Sequence, residues 1–217
     1  MKYLKVLLVA LVFVFNMLFM QSSWADLPPF QENPDYIDIT KTLTELQKQQ
    51  DIEIQNQGSV SEETQNKIAQ LEFQKYTLES GINWGQCTNK TGQTLAVYGS
   101  QQKEDDEDYE VPSRLYFLAD GQTTKKKWDC DGFYLPSGLT ANNVNPLAET
   151  PTLEGPVAIK IVDGTELILS SNSETKEIEF DAPSAQVFQT NESDWFIPNV
   201  SQAIIDSHVT NAPTQKS

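Results

Sequence analysis

One short segment has residue types and spacing that could do chemistry, Trp128-Asp129-Cys130-Asp131-Gly132-Phe133-Tyr134, although no catalytic residue is assigned in it. In an extended strand side chains alternate, so Asp129 and Asp131 project from the same face on either side of Cys130. Two neighbouring carboxyls with different proton affinities can act as general acid and base, which is the basis of a carboxylate-based hydrolase. Asp-x-Asp-Gly also matches part of a calcium loop, but Tyr134, Pro136 and Gly138 stand where further oxygen ligands belong. The structural reading of the same string is a turn at Asp131-Gly132 with Trp128 packed beside a disulfide, a frequent sandwich core arrangement. The 43-residue cysteine separation and its flanking pattern do not make an immunoglobulin domain.

A second candidate is Lys103 to Glu110, where Glu104, Asp105, Asp106, Glu107, Asp108 and Glu110 are all acidic. Such a run suits a Ca²⁺ site or a docking surface for a basic protein partner. It holds no glycine for the bend of a calcium loop, so no metal site is assigned, and its plainer reading is a solvated hairpin loop. The third candidate is aromatic: Trp84, Trp128, Phe133, Tyr134, Trp195 and Phe196. If exposed, Trp84, Trp128 and Tyr134 would stack on sugar rings of a glycan; if buried, they are core. Asn89-Lys-Thr and Asn191-Glu-Ser match the glycosylation sequon.

Much is excluded. His208 is the only histidine, which removes histidine triads and multi-histidine zinc sites. No nucleophile elbow, phosphate loop, dinucleotide fingerprint or metalloprotease motif occurs, and no cofactor is implied. The 217 residues carry a net charge of −16, against the basic face that nucleic-acid binding requires.

Residues 1–25 read as a cleaved signal peptide: Lys2 and Lys5, an apolar run from Val6 to Met20, then Ser23-Trp24-Ala25 as a cleavage site. The apolar run is short of the ~20 residues of a membrane span, and no such run follows it. Removing two lysines and no acid takes the mature charge to −18. Export to a periplasm, thylakoid lumen or extracellular space makes the only cysteines, Cys87 and Cys130, a disulfide. Closing that loop stabilises the fold by roughly 4 kcal/mol in the chain-entropy model.

The elements that must position these residues follow from periodicity. Residues 26–36, with Pro28, Pro29 and Pro34, form an extended lead-in. Residues 37–81 predict a helical hairpin. Its first helix carries Ile39, Leu43 and Leu46, and the second, opened by a Ser59-x-x-Glu62 box, carries Ile68, Leu71, Lys75 and Leu78 and ends at Gly81. Residues 82–210 predict nine short strands: 84–88, 94–99, 114–119, 123–130, 133–135, 157–162, 165–170, 177–180 and 185–189. Residues 138–156 are expected to be a surface loop, residues from Asn199 a short helix, and residues 211–217 a disordered tail.

Two Asp-Gly pairs suggest two-residue hairpins. One at Asp163-Gly164 would pair Ile159 with Ile168 and Lys160 with Leu167. Both faces of that pair are apolar, so the helical hairpin is a candidate cover for one. The other, at Asp120-Gly121, would set Lys127 opposite Arg114 and Lys125 opposite Tyr116, with residues 104–110 neutralising the cations. The expected fold is therefore α+β, an N-terminal helical hairpin followed by an antiparallel β-sandwich or barrel-like domain with one disulfide. The expected function is a non-catalytic binding or assembly module with a protein partner; glycan binding and carboxylate hydrolysis are the alternatives.

Overall fold

The computed structural model describes residues 29–101, 113–146, 148, 152–182 and 185–215. The expected signal segment and the acidic run at 104–110, with its proposed neutralising role, lie outside the described residues.

Helix α1 spans Pro34–Gln57 and α2 spans Glu62–Glu79. α1 begins three residues before Ile37 because Asn33 caps it, its side-chain oxygen accepting from the N–H groups of Asp35 and Tyr36, with Pro34 in the first turn. Gly58, at φ 71°, closes it, and its N–H donates to Ile54 O. The cap of α2 is Ser61 rather than Ser59. Its hydroxyl accepts from Thr64 N–H, while Glu53 of α1 accepts from Ser61 N–H and Thr64 Oγ1, so the partner helix fixes the turn. Ile39, Leu43, Ile68, Leu71 and Leu78 form the hairpin's own core, and Val162 packs against it from the β-domain.

Among the described residues ten strands follow: β1 Gln86–Lys90, β2 Leu95–Gln101, β3 Arg114–Leu118, β4 Trp128–Leu135, β5 Thr140–Asn143, β6 Thr152–Glu154, β7 Val157–Lys160, β8 Glu166–Ser171, β9 Ile178–Phe180 and β10 Gln186–Phe188. They make two five-stranded sheets, ordered β1-β8-β9-β5-β6 and β10-β7-β4-β2-β3. Pairing is antiparallel except for β1 with β8 and β5 with β9. The chain is thus α+β with sandwich-like packing. Cys87 of one sheet bonds Cys130 of the other, with Cα atoms 5.9 Å apart. The disulfide lies in the inter-sheet core with Trp128, Phe133, Ile159, Leu167, Leu169 and Phe180.

Several expectations are corrected. β7 and β8 do not pair with each other: β7 lies between β4 and β10, and β8 between β1 and β9. A type I′ turn needs positive φ at both central residues, and at Asp163-Gly164 only Gly164 has it, at 79°. The turn therefore carries the chain from one sheet to the other. Gly164 sits so close to α2 that a Cβ there would meet the Thr77 methyl at 2.8 Å.

The second face of β7 is shared: Ala158 lies under the C-terminal segment, while Lys160 and, just beyond the strand, Val162 meet the hairpin. Ala158 joins Ala96, Tyr98, Tyr134, Ile197 and Ile205 in a separate core on the outside of that sheet. A short helix α3, Gln202–Asp206, belongs to this cover. On the other sheet, β8 buries Leu167 and Leu169 and leaves Glu166 and Ile168 outward.

The turn at Asp120-Gly121 forms, with Gln122 N–H donating to Ala119 O, but it does not start a hairpin. Residues 122–124 bond to β1 instead, through Asn89 N–H to Gln122 O and Thr124 N–H to Cys87 O. β2 lies between β3 and β4, so Lys127 and Lys125 do not oppose Arg114 and Tyr116. Of the expected strands 123–130 and 133–135, residues 128–135 form the single strand β4, while Thr123 and Thr124 make only isolated bridges. The expected loop at 138–156 holds β5 and β6, and residues 211–215 are not a free tail. Asn211 and Ala212 N–H donate to Phe117 O, and Gln215 N–H to Thr123 O.

Candidate functional site

The paired carboxyls are brought together, but by a bulge rather than a turn. Tyr98 faces Gly132 and Gly99 faces Cys130, leaving Asp131 as the extra residue of β4. The Asp129 and Asp131 carboxyls lie close enough to influence each other's protonation, and Asp131 Oδ2 is buried without a hydrogen-bond partner among the described residues. Asp129 Oδ1 accepts from Gly85 N–H at 2.7 Å. Gly85 is required there, since a Cβ would come within 2.4 Å of Cys130 O.

Three further residues complete the cluster, none of them singled out by spacing. Asp35, in the first turn of α1, is ion-paired with Lys160 of β7 and accepts from Asp163 N–H at 2.8 Å. Asp163 in turn accepts from Asn33 Nδ2 at 2.7 Å. Asp35, Asp131 and Asp163 thus share one ammonium, that of Lys160, at the joint between hairpin and β-domain, with Asp129 beside Asp131. Outside this knot, Gln186 Nε2 donates to Asp38 at 2.9 Å.

The electrostatics follow from that count. Burial, and then the charges of Asp131 and Asp163, push Asp129 up to about 9, so it holds its proton at neutral pH. Burial also raises Asp131, opposed in part by Ser113, Asp129 and Lys160. Burial and the charge of Asp35 raise Asp163 to about 6. For Lys160, burial alone would lower the pKa, but Asp35, Asp163 and Asp131 outweigh it and hold the ammonium above its ordinary value.

Chemically this is a shared-proton carboxyl pair behind an ion pair. A glycosidase needs its two acids separated across a sugar-sized gap. Here they sit two residues apart at one strand bulge, and neither lines the clefts beside the hairpin. One such cleft, about 550 Å³, lies between α1, α2 and the β7–β10 end and reaches Asp35, Asp38, Lys67 and Lys160 over an apolar floor. Among the described residues no group of three or more acidic, cysteine or histidine side chains has metal-binding geometry.

The other predicted residues fall as follows. Cys87 and Cys130 form the disulfide. Trp128 and Tyr134 are buried, which removes them as a glycan-stacking surface. Trp128 stacks edge-on against Tyr116 in the core, and the Tyr134 hydroxyl donates to Pro198 O at 2.5 Å under the C-terminal cover. Trp84 is half-buried beside the Asp163 turn, its carbonyl accepting from Gly164 N–H.

The hairpin keeps large apolar groups in solvent. Phe73 and Tyr76 of α2 are 70% and 71% exposed, and Ile37, Ile52 and Ile54 of α1 are also exposed. No described helix is long and apolar enough to cross a membrane.

Fold and site together define a disulfide-bonded α+β sandwich with a polar-latched helical hairpin. Comparison with protein-family models, curated proteins and solved structures finds no match for the chain.

Proposed function

We propose that the protein is an exported, non-catalytic binding or assembly module, such as a soluble accessory subunit of an extracytoplasmic complex, and that its helical hairpin is the contact surface. The observation that carries this reading is the pair Phe73 and Tyr76, one turn apart on α2 and about seven-tenths exposed. Aromatics anchor protein interfaces because they bury large, stiff, amphipathic area at low entropic cost. The fold gives these two no partner core: α2 already buries Ile68, Leu71 and Leu78 on its inner face. Export is supported by the composition of residues 1–25 and by the Cys87–Cys130 bond, which persists in oxidising compartments. The acidic run 104–110 is a second candidate contact for a basic partner.

The test is affinity purification of the tagged mature chain from its own compartment. Phe73→Ala/Tyr76→Ala is expected to lose a partner that the wild type retains, with an unchanged melting temperature. Equal retention of every partner by both proteins, or no partner with either, would overturn the reading.

A further inference from the structure

α2 and the outer face of β8 enclose a groove of about 550 Å³ beside the Asp163 turn. Phe73 and Ile168 supply its apolar surface and are 70% and 42% exposed. Ile168 is an outward residue on a strand whose other outward neighbour is Glu166. The remaining wall is polar, with Thr77, Asp163, Glu166 and Asp181 among its residues. Three of the lining groups are carboxyls and none is a cation. The groove therefore couples two exposed apolar side chains to the exposed carboxyls of Glu166 and Asp181, the Asp163 carboxyl being engaged by Asn33 and the nearby Lys160.

We infer that this groove docks a cationic segment of a partner protein, one large apolar side chain flanked by lysine or arginine. The inference rests on the binding-module reading and names the partner chemistry. The apolar side chain seats between Phe73 and Ile168, and the flanking cations meet Glu166 and Asp181 at the rim. Glu166 and Asp181 are surface acids, so their attraction steers encounter and weakens with salt. A second copy of this chain is disfavoured as occupant, because a molecule of net charge −16 would bring acids toward acids. The same sign disfavours nucleic acid and anionic lipid.

The experiment uses the mature chain and a fluorescein-labelled peptide of alternating lysine with leucine and phenylalanine, read by anisotropy at low and high salt. A matched peptide with glutamate for each lysine is the control. The wild type binds the cationic peptide, more weakly at high salt, and does not bind the control. Glu166→Lys/Asp181→Lys and, separately, Phe73→Ser/Ile168→Ser each weaken binding at least about tenfold while keeping the wild-type melting temperature. Replacing the six acids of residues 104–110 by Asn and Gln leaves the affinity within about twofold. The inference is overturned if both groove variants bind like the wild type, or if loss follows only the 104–110 substitutions. Self-association of the chain abolished by the same groove variants also overturns it. Absence of peptide binding alongside partner capture that needs Tyr76 overturns the groove assignment alone; absence of any captured partner overturns the binding-module reading.

Discussion

Replacing Asp129 by asparagine should stabilise this protein at alkaline pH, although it removes a buried group from the centre of the fold. Asp129 holds its proton up to about 9 in the folded chain, while in the unfolded chain it ionises near the usual 3.9. Below about pH 4 both states are protonated and the difference vanishes. As pH rises, the unfolded state gains the ionised form and the folded state does not, so stability falls by about 1.4 kcal/mol per pH unit until the folded pKa is passed. Between pH 5 and 8 that is an upper limit of about 4 kcal/mol, or roughly 8–16 °C for a chain of this size. Asparagine mimics the protonated acid: its Oδ1 can accept from Gly85 N–H, and its NH₂ can donate to Asp131. Melting of wild type and Asp129→Asn at pH 5, 6, 7 and 8, at constant ionic strength, reads the effect directly. The wild-type melting temperature should fall with pH and the variant's should fall less, the two diverging toward pH 8. Parallel profiles, or a wild type that becomes more stable from pH 5 to 8, would refute the shared-proton pair.

Other consequences follow from the same joint and its neighbours. Lys160→Met leaves Asp35, Asp131 and Asp163 without their ammonium, and should cost about 2–4 kcal/mol in urea unfolding at pH 8 and less at pH 5, where Asp131 and Asp163, both raised by burial, take up protons more readily. Cys87→Ser/Cys130→Ser should lower stability by about 2–5 kcal/mol, measured as a shift of the denaturant midpoint. Tyr134→Phe removes the bond to Pro198 O; it should cost about 1 kcal/mol and speed hydrogen exchange in residues 196–205 without changing exchange in the hairpin.

What the sequence made legible was local. The helices announce themselves through spaced Ile and Leu, and Gly58 and Gly81 end them with positive φ. Export redox logic paired Cys87 with Cys130. Strand partners were harder, because an Asp-Gly pair marks a turn without saying which strands meet after it. Val157–Lys160 had two apolar faces, which signalled cover on both sides, but nothing local distinguished a helical cover from the distant Ile197 and Ile205. The carboxyl pair was half legible: alternation brought Asp129 and Asp131 to one face, yet the bulge that joins them depends on the pairing of β2. Asp35 and Asp163 came from segments read as lead-in and turn. The usable signal was Lys160, a single charge inside an apolar run, since a cation in that position needs acids around it.

The claim at the centre of this account is that the hairpin's exposed aromatics contact a partner. A photo-crosslinking residue placed at position 76, and in a control chain at position 209, tests it in the native compartment. Val209 is also a large exposed apolar residue, but it lies outside the hairpin, in the segment between α3 and the Asn211 contact to β3. The account predicts one discrete adduct of higher mass from position 76 and none from 209. An adduct from 209 with none from 76 would contradict it.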